Sequence, residues 1–144
     1  MKSTWVVVAD SSRARIFNAE TPFIIKEIED ISHSEGRLQE HDLTSDQRGN
    51  VVGGAGGGHA FESRQDTKEH EAVKFAKSLA KHIDEARGKN QFEQLMIVSE
   101  PSFLGALRKE LTDSSRKMVS FELDKNITTH SVEDIRKHLP ERLI

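Results

Sequence analysis

Two acidic residues stand directly after apolar runs that are typical of buried strands. Asp10 follows residues 5–9, which read Trp-Val-Val-Val-Ala, and Glu100 follows residues 94–99. Open α/β sheets place their sites beyond the carboxyl ends of their strands. If the two strands are neighbours, Asp10 and Glu100 could share a Mg²⁺ ion and support phosphodiester hydrolysis.

A structural role for both carboxylates is the alternative. Asp10 would accept hydrogen bonds from the amides of residues 11–13, and Glu100 would lie beside the N-terminus of the next helix. The sequence shows no third acid placed at a strand end in this way. We therefore favour structural roles, and we keep Asp10 and Glu100 as catalytic candidates for a metal-dependent nuclease.

Glycine dominates residues 48–59, which hold six of the chain's nine glycines. Because glycine loses the most backbone freedom on folding, we expect this run to be mobile. It lies in a polar segment, about residues 32–64, whose length is typical of functional or disordered loops. A glycine-rich loop that leads into a helix can present backbone N–H groups to an anion, a phosphate or an ester carbonyl. A solvated linker is the alternative.

Basic residues continue from the glycine-rich run along the helix predicted to follow it. Residues 62–87 hold six basic and six acidic side chains, but the acids cluster near the two ends, so the middle of the helix is positive. A phosphate backbone could bind there, and an ordinary solvated helix surface is the alternative. The predicted binding residues are Arg48, Gly53, Gly54, Gly56, Gly57, Gly58, His59, Arg64, Lys68, His70 and Lys74.

Other motifs with a known chemistry are missing from the sequence. It contains no G-x-S-x-G nucleophile motif, and the glycine run lacks the Lys-Ser/Thr of a phosphate-binding loop. The seven histidines show no H-x-x-x-H or H-x-H spacing, so we expect no metal site and no cofactor. His59 is kept as a catalytic candidate because it lies at the junction of loop and helix.

The elements that would position these residues follow from hydrophobic periodicity. Strands are predicted at residues 5–9, 14–19 and 23–31, joined by short turns, which favours an antiparallel meander. An Asp66 capping box predicts a helix that ends at Gly88, followed by a strand at 94–99, a helix from Pro101, a strand at 118–123 and a helix capped by Ser131. Helical crossovers make the later strands parallel to the first.

These elements predict an α/β fold with a single mixed five-stranded sheet and three helices, and this topology resembles the ribonuclease-H-like type. A chain of 144 residues is most simply one domain. The net charge of −3 gives no overall attraction to nucleic acid, so any basic surface must be local. The absence of cysteine fits a reducing compartment, and no apolar run is long enough to span a membrane, so we expect a cytoplasmic protein without membrane insertion.

Several segments, taken in order along the chain, resemble the signatures of one bacterial family. Residues 5–15 resemble its opening strand and turn, and residues 43–46 with the glycine run resemble its loop. Residues 66–71, Asp-Thr-Lys-Glu-His-Glu, resemble its D-x-K-E-H-E helix start, and residues 101–108 and 122–128 resemble its last two signatures. The family is that of the host-attachment proteins, described as required for attachment to host cells. The resemblance implies a protein or surface partner.

By fold, the host-attachment proteins are similar to the middle domain of archaeal and eukaryotic class-I peptide-release factors. In that domain, a Gly-Gly-Gln tripeptide before the long helix helps water attack the peptidyl-tRNA ester. The corresponding place here reads Gly56-Gly57-Gly58-His59, with no glutamine after the glycines. The resemblance therefore implies ribosome or tRNA binding more than hydrolysis, for which His59 would have to replace the glutamine.

Three functions follow from these patterns. The first is a non-enzymatic interaction protein of the host-attachment family that uses the glycine-rich loop and the adjacent helix. The second is a ribosome- or tRNA-binding protein, or a peptidyl-tRNA ester hydrolase. The third is the metal-dependent nuclease.

Overall fold

The computed structural model describes residues 3–32 and 57–143, and of residues 57–68 it describes the backbone alone. Within these ranges the chain forms five strands and four helices. The strands are β1 (Thr4–Ala9), β2 (Arg13–Ala19), β3 (Ile25–Ser32), β4 (Gln94–Ser99) and β5 (Val119–Asp124). The helices are α1 (Gly57–Gly88), α2 (Pro101–Glu110), α3 (Asp113–Met118) and α4 (Val132–Lys137).

The five strands form one mixed sheet in the order β3-β2-β1-β4-β5. β1 pairs antiparallel with β2, and β2 with β3, whereas β4 lies parallel to both β1 and β5. The predicted α/β fold, with an antiparallel meander and two further parallel strands, is confirmed. The central position of β1 explains its valine run, because all six of its residues are buried between strands and layers.

Helices cover both faces of the sheet. On one face, α1 and α2 pack against inward-facing residues of β1, β2 and β4, with Phe75, Leu79, Ile83 and Leu107 buried. On the opposite face, a smaller cluster packs Val6, Val8 and Phe17 against Ile135 of α4 and neighbouring apolar residues. The sheet is therefore the middle of three layers, and both of its faces contribute to the core.

Helix α1 begins earlier than the sequence predicts. It starts at Gly57, nine residues before Asp66, so the predicted capping box at Asp66 is wrong and Asp66 lies inside the helix. Glycine lowers helix stability by about 1 kcal/mol relative to alanine but does not forbid a helix. The residues that follow include Ala60, Glu62 and Gln65, which are good helix formers. The predicted end at Gly88 is confirmed.

Two of the predicted helix starts are confirmed by their caps. Glu100 is the N-cap of α2, and its side chain accepts a hydrogen bond from the backbone N–H of Ser102. Ser131 is the N-cap of α4 and accepts from the N–H of Asp134. Each cap satisfies a helix N–H group that has no partner within its own helix.

Helix α3 was not predicted from the sequence. Its six residues carry no apolar periodicity, and Ser115 is the buried one. Asp84 of α1 accepts hydrogen bonds from the hydroxyls of Thr112, at 2.9 Å, and Ser115. A carboxylate from another helix therefore holds this short turn in place, which raises the number of helices among the described residues to four.

Candidate functional site

The structure brings the ends of β1 and β4 together, as the carboxylate hypothesis requires. Ala9 is the register partner of Ser99, so Asp10 and Glu100 leave the sheet side by side. The N–H of Glu100 also donates to the carbonyl of Ala9 at 3.3 Å. Both acids thus occupy the carboxyl edge of the parallel strands, where α/β folds place their sites.

Local hydrogen bonds occupy both carboxylates. Asp10 Oδ1 accepts from the N–H of Ser12 at 2.9 Å and from its hydroxyl at 3.2 Å. Glu100 Oε1 accepts from the N–H of Ser102 at 3.1 Å and from its hydroxyl at 2.5 Å. Both acids therefore make the local contacts that the structural alternative predicts, and their catalytic role stays a prediction. Among the described residues, no group of three or more His, Cys, Asp or Glu side chains could hold a metal ion.

Thr128 joins this edge of the sheet to the segment after β5. Its hydroxyl donates to Asp10 Oδ2 at 2.7 Å, and its side chain is almost fully buried. The Thr128 carbonyl accepts from Arg15 Nη1 at 3.1 Å and from Arg13 Nη1 at 3.4 Å. One residue thus connects β1, β2 and the approach to α4.

Arg15 is the buried cation of this group. Its Nε and Nη2 each donate to a carboxylate oxygen of Glu27 at 2.9 Å, and its Nη1 also donates to the His130 carbonyl at 2.7 Å. This forked geometry suits guanidinium and satisfies a charge that burial would otherwise penalise. The pair was not predicted from the sequence. The available signal was two arginines, Arg13 and Arg15, two residues apart on one strand and opposite an acidic strand.

Arg13 makes a second, more exposed pair on the same face. Its Nε and Nη2 donate to Asp30 at 3.0 and 2.7 Å. The hydrogen bond to Asp30 is the main reason that the pKa of Arg13 is raised, with burial acting in the opposite direction. Together the two pairs tie β3, the edge strand of the sheet, to β2.

The exposed face of α1 carries a row of basic side chains. His70, Lys74, Lys77 and Lys81 recur at intervals of four, three and four residues, and all four are exposed. This spacing keeps them on one side of the helix. We call these four residues the basic stripe. Glu71 lies 3.5 Å from Lys74 and offsets part of its charge. Within the described parts of the chain, Lys77 and Lys81 form no ion pair.

The other predicted binding residues lie either outside the described residues or in the part of α1 of which only the backbone is described. Arg48, Gly53, Gly54 and Gly56 fall outside the described residues, and so does most of the run that was predicted to be mobile. The remaining members belong to the first part of α1, where the backbone alone is described: Gly57, Gly58, His59, Arg64 and Lys68. The structure thus places His70 and Lys74 together on one exposed helix face, and the binding role of every member of the set stays a prediction.

Three histidines make specific contacts away from the stripe. His82 Nε2 lies 2.6 Å from Glu29 Oε2, and the His82 ring stacks on Trp5 with centroids 6.2 Å apart. This contact joins α1 to β3. His130 and His138, near the two ends of α4, both contact Asp134 through their Nδ1 atoms. The hydrogen bond from His130 is the main cause of the lowered pKa of Asp134.

Fold and site together define a small three-layer α/β protein with two surface features. The first is the closed polar edge, where Asp10, Arg13, Arg15 and Thr128 are hydrogen-bonded at the carboxyl end of β1. The second is the basic stripe on α1. The chain belongs to the family of proteins described as required for attachment to host cells, whose model matches residues 5–139. It is also similar to an uncharacterized protein of Rickettsia prowazekii (strain Madrid E), with 33% identity over 82 residues. That match covers 56% of this chain and 55% of the relative, so it spans little more than half the relative's length.

None of the helices within the described residues combines the length and the apolar character that crossing a membrane requires.

Proposed function

We propose that this member of the host-attachment family is a non-enzymatic interaction protein, and that its contact surface is the basic stripe with the neighbouring glycine-rich segment. The observation that carries the proposal is the row His70, Lys74, Lys77 and Lys81 on the exposed face of α1. The family description supports a role in attachment.

The stripe has the dimensions and rigidity of a docking surface. Its four residues span eleven helical steps, or about 16 Å at 1.5 Å per residue. The opposite face of this part of α1 is locked into the core through Phe75, Leu79 and Ile83. The positive side chains are therefore presented from a fixed helix, and little backbone entropy remains to be lost on binding.

The charge of the stripe indicates an acidic partner. The whole chain has a net charge of −3, so long-range attraction to an anionic surface is weak. Attraction must come from the local row of lysines, which predicts binding that weakens as salt rises.

The test is binding of the purified protein to host cells across a salt series. The variant Lys77→Gln/Lys81→Gln should bind more weakly than the natural chain at low salt. Lys109→Gln/Lys117→Gln is the matched control, since it removes the same charge from exposed positions on α2 and α3. Equal weakening in both double variants would reject the stripe as the contact surface, and no binding by the natural chain would reject direct attachment.

A second candidate function is binding to ribosomes or tRNA in the cytoplasm. The regular spacing of the lysines favours it, because a phosphodiester backbone offers a row of negative charges. The proposal includes the glycine run, whose sequence resembles the release-factor loop apart from the missing glutamine. Ester hydrolysis is an extension of this candidate in which His59 replaces the glutamine.

Co-sedimentation with ribosomes across a salt series tests the second candidate. Each phosphate that a variant no longer neutralises should lower the slope of log affinity against log salt by about 1, so Lys77→Gln/Lys81→Gln should lower it by about 2. A variant with Gly56, Gly57 and Gly58 replaced by alanine tests the glycine-rich segment at the start of α1 separately. If the natural chain does not bind ribosomes at low salt, the second candidate function is rejected and only the first remains.

A further inference from the structure

His130 and His138 form a pair of neighbouring imidazoles beside α4. Their ring centroids are 6.0 Å apart and their planes meet at 76°. Both side chains are partly exposed, so a solute ion can reach them. The pair is on the opposite side of the sheet from the basic stripe, because α4 packs on the face that α1 and α2 leave open.

The hydrogen bonds of the two rings leave the same nitrogen of each available. His138 Nδ1 lies 2.8 Å from the carbonyl oxygen of Asp134, and a carbonyl only accepts, so Nδ1 carries the proton. His130 Nδ1 donates to the carboxylate of Asp134. In the neutral form of each ring, Nε2 then holds a free lone pair. Among the described residues, neither Nε2 has a hydrogen-bond partner.

This hydrogen bonding has one feature in common with metal-binding histidines. Metal-binding histidines almost always donate their other ring N–H to a carboxylate or a backbone carbonyl, which sets the tautomer and the ring orientation. Asp134 provides both kinds of acceptor, one to each ring.

The backbone that carries the pair is held firmly. Buried Arg15 donates to the carbonyl of His130 at 2.7 Å. Ile135 of α4, which lies between the two histidines in the sequence, is fully buried in the core. The side chain of Arg136 donates to the carbonyl of Pro140 at 2.8 Å, which closes the turn that contains His138. The two rings are therefore presented from a fixed frame.

The separation of the rings suits a shared ion. With Zn–N bonds of about 2.0–2.1 Å, the centres of two zinc-bound imidazoles lie about 5–6 Å apart at tetrahedral or wider angles. The observed 6.0 Å falls at the upper end of this range. Imidazole nitrogen suits zinc, copper and nickel, whereas Mg²⁺ and Ca²⁺ prefer oxygen ligands.

We propose that His130 and His138 bind one Zn²⁺ ion through their Nε2 atoms, with water in the remaining positions. No third protein ligand is present among the described residues. Within the described residues, the proposed site therefore has two histidine ligands and is partly exposed to solvent. Asp134 acts as its outer-shell acceptor.

The experiment is a Zn²⁺ titration followed through the imidazole ¹⁵N resonances of the full chain. We expect the Nε2 signals of His130 and His138 to shift together, at the same Zn²⁺ concentration, and before those of the other histidines. Shifts of Nδ1 instead, or of one ring alone, would overturn the proposal. So would binding confined to histidines elsewhere in the chain. This measurement needs no variant, so it decides the matter even if a substitution unfolds the protein.

Calorimetry on variants gives a second readout. His138→Gln should abolish the tight phase of Zn²⁺ binding, whereas the control His70→Gln, at an exposed position on α1, should retain it. Asp134→Asn should weaken binding about 10-fold or more, as loss of an outer-shell carboxylate does. Unchanged affinity in His138→Gln would reject the site.

Discussion

The hydroxyl of Thr128 donates a hydrogen bond to Asp10 Oδ2 at 2.7 Å, although 118 residues separate the two in sequence. Asp10 follows the end of the central strand, and Thr128 lies between β5 and α4. Because Arg15 and Arg13 also donate to the Thr128 carbonyl, the segment before α4 is fastened to two strands at once. Thr128 therefore holds the segment before α4 against the carboxyl edge of the sheet.

Replacing Thr128 by valine tests the bond without a change of shape. The substitution removes the hydroxyl, leaves the Asp10 carboxylate with its contacts to Ser12, and also removes the 3.0 Å contact of the hydroxyl with Asn126 Oδ1. A hydrogen bond to a charged group contributes about 1.5–3 kcal/mol, so the free energy of unfolding should fall by about that amount. Urea denaturation measures it. Thr129→Val is the control, since Thr129 is exposed, and it should change stability by less than about 0.5 kcal/mol. Equal effects would contradict the assignment.

The Arg15–Glu27 pair should depend on the shape of guanidinium and not on charge alone. Arg15→Lys keeps the positive charge but has three donors on one nitrogen, in place of the four hydrogen bonds that Arg15 makes from three nitrogens. We expect a decrease of about 1–3 kcal/mol in the free energy of unfolding. The matched change Arg13→Lys should cost less, because the Arg13 and Asp30 side chains are 28% and 44% exposed, against 9% and 27% for Arg15 and Glu27. A larger decrease for Arg13→Lys would refute this ranking.

The sheet could be predicted from sequence because its signals are local. The valine run of β1 is buried on both sides, as such runs usually are, and each helical crossover requires the following strand to be parallel. The apolar positions of α1, such as Phe75 and Leu79, face the core at the predicted spacing. These features depend on residues a few positions apart, which sequence patterns record directly.

The closed polar edge could not be predicted because its partners are distant in sequence. Nothing local indicates that Arg15 meets the carbonyl of Thr128, 113 residues away. Helix α3 was missed for the same reason, since its stability comes from Asp84 on another helix and not from its own apolar pattern. The start of α1 at Gly57 could not be predicted either, because glycine lowers the stability of a helix but does not fix the position at which it begins.

Asp84 should control the order of α3 more than the stability of α1. Asp84→Ala removes the acceptor for Thr112 and Ser115, so α3 should open more often while the buried face of α1 stays intact. Amide hydrogen exchange should show faster exchange across residues 113–118 and little change around Leu79. Glu85→Ala, at the exposed neighbouring position, should leave exchange in α3 unchanged. Uniformly faster exchange in all helices would mean that Asp84 acts on global stability instead.

Glu100 should act as a helix cap, and a substitution series tests that role. Glu100→Ala leaves the N–H of Ser102 without its acceptor and should lower the free energy of unfolding by about 1 kcal/mol. Glu100→Ser should restore most of the stability, because serine is a preferred N-cap residue although it carries no charge. Serine would not restore a metal-binding or acid–base role, since that role requires the carboxylate that serine lacks. Thermal denaturation of the two variants beside the natural chain makes the comparison, and failure of serine to restore stability would show that the charge of Glu100 matters beyond capping.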